Sequence, residues 1–342
     1  MLLTNKTASS GESLHRFYLG IDSGGTNTRA MLADHTGTVW GTGHSGSANP
    51  NHYPRQQVAE NLHLAISAAL SGCPKSLLIS TIFMGSSGIS TVCDRDDMCA
   101  VLRSLPEVGP NTQVAVESDT VIGLTGGLAG RPGIVLIAGT GSACYGINAQ
   151  GESYLCGGWG AVADDVGSAP WIGTRAIQAA VFAADGRIPP TSLRNIVFDF
   201  LELAEPRQLI HRLHNQGVDR ANIGCLAPFV LEACASGDAA ASEIVADAIS
   251  GLALLVRVTK DRLFCDSQCE MILVGGLALS GPPFQPMLIQ RIQETTSGVL
   301  IRKPELSPVQ GAILEAMKLD GIAWSNEILE NLNSGALRNI HA

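Results

Sequence analysis

Apolar runs that end in glycine and hydroxyl residues recur along this chain. Phe17 to Ile21 is apolar, Asp22 closes it, and Ser23-Gly24-Gly25-Thr26-Asn27-Thr28 follows before a second apolar run from Ala30 to Ala33. The pattern predicts strand, tight turn, strand. Glycine tolerates positive φ, and successive backbone N–H groups in such a turn form a concavity suited to phosphate oxygens. Taken alone, the stretch is equally an ordinary hairpin with a glycine-rich turn. Val39 to Gly43 predicts a third strand, and Gly46 to Pro54 a polar loop. Val58, Leu62, Ala65, Ile66 and Ala69 are spaced for a helix from about Gln56 to Leu70. Leu77 to Met84 reads as a buried strand opening into Gly85-Ser86-Ser87-Gly88. A helix around Asp96 to Leu105, a strand Gln113 to Val116, and a helix that begins near Asp119 and runs to about Ala129 complete this half.

The pattern then restarts. Tyr18–Gly41 and Ile134–Gly157 each read strand, Gly/Thr/Ser turn, strand, short turn ending in glycine (Gly37, Gly151), strand. A repeat this long is a duplicated domain. Helices are predicted over Pro170–Ala184, Thr191–Leu203, Pro206–Gln216, Ile223–Ser236 and Asp238–Leu263. Strand Met271–Val274 precedes Gly275-Gly276. Helix Phe284–Thr295, strand Val299–Arg302 and helix Pro308–Leu319 follow. Alternating strands and helices imply α/β domains with ligands at the carboxyl ends of strands. Three glycine-rich strand ends, Asp22–Thr28, Ala138–Ser142 and Gly275–Gly276, would face one cleft if a pseudo-twofold relates the halves.

Length and composition agree with two domains. The chain has 342 residues, 45% hydrophobic and 15% charged. Lys+Arg 22 against Asp+Glu 31 gives a net charge of −9, which argues against nucleic acid or an anionic membrane as partner. The nine cysteines are scattered through apolar segments such as those of Cys144, Cys156, Cys225 and Cys234. That reads as reduced thiols in a cytoplasmic protein. Cys265 and Cys269 form the one close pair, with no second pair or histidine cluster to complete a zinc site. No run is read as membrane-spanning. A homodimer is the plain expectation for such a chain. Residues 1–16 and 321–342 read as tails.

The segments DSGGTNTR, GSANP, ESD, IAGTGS, GGWG, DVGSAPWIG and KPELSPVQGAILEA occur in that order. From about Phe17 to Leu319 the chain resembles the BadF/BadG/BcrA/BcrD-type ATPase family of the actin-like sugar kinase superfamily. Within it, the likeness is to the N-acetylglucosamine kinases and their glucosamine kinase relatives. The resemblance implies two duplicated actin-like (ribonuclease H-like) α/β domains. These are residues 17–130, joined by the helix at 306–320, and residues 131–305, flanking a nucleotide and sugar cleft. It implies ATP and Mg²⁺ as cofactors and a small amino sugar as acceptor, phosphorylated at the 6-hydroxyl.

Residue by residue, the resemblance places Gly24, Gly25, Thr26 and Asn27 on the β- and γ-phosphates, with Thr140, Gly141 and Ser142 closing from the second domain. Gly275 and Gly276 would take adenine and ribose. Asp22 would orient Mg²⁺ through water. No GxxxxGK(S/T) loop is present to do this work. Asp119 would be the base; taken alone, an Asp there is more readily a helix cap, a reading the resemblance reverses, and Glu117 is its rival. Asn49, Gly158, Trp159, Gly160 and Asp165 would meet the sugar, Trp159 being equally a domain-interface anchor. The related pattern GGWGxxxGDEG reads GGWGAVADDVG here, so Asp165 matches its acid while Asp164 and Val166 depart from it. Two other classes stay open: an ATPase that activates a radical dehydratase through a cysteine-held cluster, and a non-catalytic sugar sensor.

Overall fold

The computed structural model describes residues 16–74, 76–215 and 220–335. The expected tail at 1–16 lies, but for Arg16, outside the described residues. In the first half, β1 (Phe17–Ser23), β2 (Asn27–Asp34), β3 (Val39–Gly46), β4 (Ile79–Ser86) and β5 (Gln113–Ser118) form a sheet of order β3-β2-β1-β4-β5. β1–β2 and β2–β3 are antiparallel, while β1–β4 and β4–β5 are parallel. In the second half, β6 (Gly133–Ala138), β7 (Ser142–Ile147), β8 (Ser153–Gly157), β9 (Cys269–Val274) and β10 (Val299–Arg302) repeat that order and those polarities. The duplication read from the sequence is therefore one of topology.

Strand alternation sends side chains to two layers. Leu19, Ile21, Ala30 and Leu32 pack beneath α1 (Arg55–Leu70) and α2 (Val92–Arg103). Tyr18 and Met31 point to the other face, against α3 (Asp119–Gly127) and α11 (Pro308–Leu319). α3 serves both sheets. Its Ile122 joins the first domain's second layer, and its Leu124 packs on Val135 and Ile272 of the second sheet. α3 and α11 cross closely because Gly311 has no side chain: a β-carbon there would lie 2.1 Å from the Ile122 carbonyl.

The second sheet's core is built with α4 (Ala169–Ala184), α5 (Leu193–Phe200), α8 (Ala227–Ala235), α9 (Ala239–Leu263) and α10 (Phe284–Thr295). α6 (Gln208–Asn215) and α7 (Arg220–Gly224) connect α5 to α8. α9 has 25 residues, and an 18-residue stretch of it has mean hydropathy 1.7, long and apolar enough to cross a membrane, contrary to the expectation that no run reaches that length. Its Ile244, Val245, Leu252 and Val256 are buried in this core.

Three element readings change. α2 starts at Val92, because Thr91 and Asp94 form a reciprocal capping box ahead of the apolar spacing. The predicted helix Ile223–Ser236 divides into α7 and α8, with Pro228 in the first turn of α8. Residues expected as a C-terminal tail instead hold α12 (Asn326–Ser334), capped by Ser325. Its Ile328 and Leu332 are buried beside Met31 and Val39, and Trp324 Nε1 donates to the Leu314 carbonyl at 2.9 Å. Only 336–342 of that tail lies outside the described residues.

Candidate active site

The β1–β2 turn is held from outside by the loop that follows β3. Ser47 Oγ donates to the Gly24 carbonyl at 2.8 Å, and the Ala48 N–H donates to Ser23 Oγ at 3.3 Å. Within the turn the Gly24 N–H donates to the Asn27 carbonyl at 2.9 Å, and Asn27 Nδ2 to Thr26 Oγ1 at 3.1 Å. Thr26 and Asn27 are exposed.

Asn49, in the same loop, is 5% exposed. Its Nδ2 donates to Ser87 Oγ at 3.0 Å and its Oδ1 accepts from the Asn51 N–H at 2.9 Å. The residue thus ties the loop to the end of β4, a signal that its place among polar loop residues did not reveal.

The β6–β7 turn closes from the other domain. A β-carbon on Gly25 would lie 3.5 Å from Thr140 Cβ, so the two turns face each other at van der Waals distance. The second turn is pinned from behind. Ser142 is buried; its N–H donates to Asp165 Oδ1 at 3.1 Å and its Oγ to the Val166 carbonyl at 2.9 Å. Asp165, expected at the sugar, is 3% exposed with φ +60°, and its carboxylate is turned to this task. Gly275 completes the strand-end set with φ +102°; a β-carbon there would sit 2.4 Å from the Ala138 carbonyl, which explains why only glycine fits.

Gly158, Trp159 and Gly160 stand outside this constellation. Both glycines have positive φ, and Trp159 is 80% exposed. In this structure Trp159 is neither buried at a domain interface nor covered.

Asp22 and Asp119 lie at the carboxyl ends of β1 and β5, with β4 between them. Asp119 is not the cap of α3. Ser118 is, accepting the Thr120 N–H at 3.3 Å, and Asp119 is the first helical residue. Ser118 Oγ also donates to Asp119 Oδ1 at 3.3 Å. Burial raises the Asp119 carboxyl to about 6 against these hydrogen bonds. Asp22 is also pushed up to about 6, by burial and then by the charge of Asp119, with Arg29 opposing. Two carboxyls raised this way at neighbouring strand ends make these positions a candidate functional site. Glu117, the rival base, is engaged by Arg95 Nη2 at 3.0 Å.

A cavity of about 690 Å³ opens beside the facing turns. Thr26, Gly139, Thr140 and Gly276 line one end. Pro228, Leu231 and Ala235 of α8 and Pro282-Pro283 line the other. Asp22 and Asp119 are not among its lining residues. An apolar slot that leads to two amide-rich turns has the form of a nucleotide site. The α8 and 282–283 walls were not anticipated. Apolar residues on a helix look alike whether they face a core or a cavity, although Gly281-Pro282-Pro283 is a visible loop signal.

The BadF/BadG/BcrA/BcrD ATPase family model matches residues 19–316. This chain belongs to that family. An N-acetylmuramic acid/N-acetylglucosamine kinase of Clostridium acetobutylicum is 32% identical over 262 residues, covering 76% of this chain and 85% of that protein. An N-acetyl-D-glucosamine kinase of Dictyostelium discoideum is 25% identical over 313 residues, covering 88% and 97%. Among solved structures, a Chromobacterium violaceum protein provisionally described as an N-acetylglucosamine kinase superposes with TM-score 0.70 at 24% identity, covering 87% of this chain and 98% of its own. The duplicated fold is thus the actin-like sugar kinase fold.

Proposed function

We propose that this protein is an ATP-dependent kinase of an amino sugar, with N-acetylglucosamine as acceptor and its 6-phosphate as product. The observation that carries the reading is the meeting of Gly25 and Thr140 at the mouth of the apolar cavity, with Asp22 and Asp119 at neighbouring strand ends. The base of ATP fits the apolar end between α8 and Pro282-Pro283, and its phosphates lie between the turns. Gly24, Gly25, Thr26 and Asn27 approach from one side; Thr140 and Gly141 approach from the other. Gly276 faces the nucleotide, while Gly275 and Ser142 shape the backbone around it.

The acceptor hydroxyl lies against Asp119. Its oxygen forms a bond to the γ-phosphorus as the bond to the β-phosphate oxygen breaks, the hydroxyl proton passes to Asp119, and ADP leaves. Transfer of this kind needs positioning and charge more than covalent help from the protein. Asp119 has the right chemistry, since a carboxyl raised toward neutrality is a better proton acceptor.

Mg²⁺ suits the donors present. Asp22 and the Thr26 hydroxyl are hard oxygens, and among the described residues no group of three or more His, Cys, Asp or Glu could hold a metal alone. Mg²⁺ would come with the phosphates and supply charge neutralisation there, and Asp22 would be the residue to hold it. Asn49 acts on the sugar through the loop it secures. Trp159, exposed on a glycine-flanked loop, supplies an apolar ring face of the kind that sugars stack on when the domains close.

Coupled ADP release against N-acetylglucosamine, glucosamine and N-acetylmuramic acid tests the reading. N-acetylglucosamine should raise ADP production well above the water background. Preference for glucosamine would move the assignment to that runner-up, and no stimulation by any of the three would end it.

A further inference from the structure

We propose that Trp324 is a positioning residue that straps the hinge at Gly130 and sets how readily the two domains close on nucleotide and acceptor. The inference rests on the kinase reading for its ligands. The chain passes between the two sheets twice, from α3 to β6 and from β10 back to α11. The two crossings are bonded to each other. The Glu305 N–H donates to the Gly127 carbonyl at 3.0 Å and the Leu306 N–H to the Gly126 carbonyl at 3.1 Å. Ala129 and Gly130, just past α3, have φ +48° and +76°, so the chain turns there through two left-handed residues. Rotation of one domain against the other is absorbed at these few residues. On the second domain's side Arg131 fixes the crossing: its Nε donates to Glu270 Oε2 of β9 at 3.1 Å, and its Nη2 to Glu305 Oε1.

Trp324 fixes it on the first domain's side. Its ring lies on Gly130 so closely that a β-carbon there would overlap Cζ3. Nε1 donates to the Leu314 carbonyl of α11 at 2.9 Å, and Lys318 Nζ stands 5.9 Å from the ring centroid. Ser325 follows as the cap of α12, whose Asn331 Nδ2 donates to the Thr36 carbonyl at 2.8 Å. The ring is thereby anchored to α11 and to the β2–β3 turn. A change of φ or ψ at Gly130 drives backbone atoms against it. Opening requires the ring to lift, with loss of its hydrogen bond and exposure of its apolar face. The arrangement the ring holds is the one in which Gly25 and Thr140 face each other at van der Waals distance. The family model's match ends at residue 316, so the strap lies in a part of the chain outside the matched pattern.

Hydrogen exchange of the ligand-free protein, and titration calorimetry with Mg²⁺ and a non-hydrolysable ATP analogue, test the strap. In Trp324→Ala the amides of residues 128–133 should exchange about tenfold faster or more than in wild type. Binding of the analogue should weaken by about threefold or more, because a smaller fraction of the protein is closed, and saturating N-acetylglucosamine should recover most of that loss. Trp324→Leu, which fills the space without covering Gly130, should act in the same direction and serves if the alanine variant does not fold. Leu102→Ala, which opens a cavity under α2 in the first domain's other layer, is the control for lost stability alone. Unchanged exchange at 128–133, unchanged binding, or equal effects in Leu102→Ala overturn the proposal. So does a binding loss that the sugar does not recover although wild-type protein phosphorylates it. If wild-type protein phosphorylates none of the sugars, the acceptor assignment fails, and exchange together with analogue binding still decides the strap. If wild-type protein does not bind the analogue, both fall.

Discussion

The backbone N–H of Ser142 donates to Asp165 Oδ1 at 3.1 Å, across 23 residues of chain. This one bond joins the β6–β7 turn to the Asp164-Asp165-Val166 segment. Asp165→Ala should therefore raise the KM for ATP more than the KM for sugar. It should also destabilise the fold by about 1–3 kcal/mol, because a buried N–H loses its partner. Asp165→Asn keeps an acceptor oxygen and tolerates the positive φ, so it should stay near wild type. Steady-state kinetics with each substrate varied check this; a rise confined to the sugar KM would return Asp165 to the acceptor.

Asp119→Asn should cut kcat by about 10²–10⁴-fold, the usual worth of a general base. It should also stabilise the ligand-free protein at alkaline pH. The Asp119 carboxyl is raised in the fold to about 6 by burial, so its stabilising contribution is complete below the unfolded value and is lost as pH rises through about 6. The difference in Tm between variant and wild type should grow in the variant's favour across that interval. A constant difference from pH 5 to pH 8 would remove the carboxyl from this linkage.

Asp238 shows the opposite sign. It caps α9, accepting from the Ala241 N–H at 3.0 Å, and also takes the Ser192 N–H at 2.7 Å and the Thr191 hydroxyl at 2.8 Å. Burial works against its charge, but these donors together hold its carboxyl below the usual range. Its contribution is thus present above the ordinary carboxylate value and lost as pH falls through the lowered one. Asp238→Ala should cost about 0.5–2 kcal/mol at pH 7. Urea unfolding should show the gap to wild type closing at acid pH.

α12 closes the first domain's second layer. Leu332→Ala should cost about 2–5 kcal/mol, since Leu332 is fully buried. Gln310 Nε2 also donates to the Leu332 carbonyl at 2.6 Å, tying α12 to α11. Thermal unfolding measures the loss; a shift under about 2 °C would mean that α12 adds little to the core.

Much of this protein could be read from its sequence, because strands, turns and duplication have local causes. Phe17–Ile21 and Ile134–Ala138 are apolar runs stopped by glycine-rich turns, so their type and their likeness to each other follow from period and turn chemistry. The nearness of Asp22 to the first turn follows in the same way. Tertiary structure decided the rest. Ser118, not Asp119, caps α3, a choice between adjacent polar residues that depends on where β5 delivers the chain. Asp165 is an acid in a loop by sequence, and becomes a buried acceptor only when β7 passes beside it. Val92 begins α2 and Asn326 begins α12 because caps and a distant apolar layer outweigh weak helical spacing. The cavity walls on α8 come from chain segments far apart in sequence, and Arg29 meets Asp22 by cross-strand register. Such contacts are set by packing between distant segments and leave no periodic mark on the residues that make them.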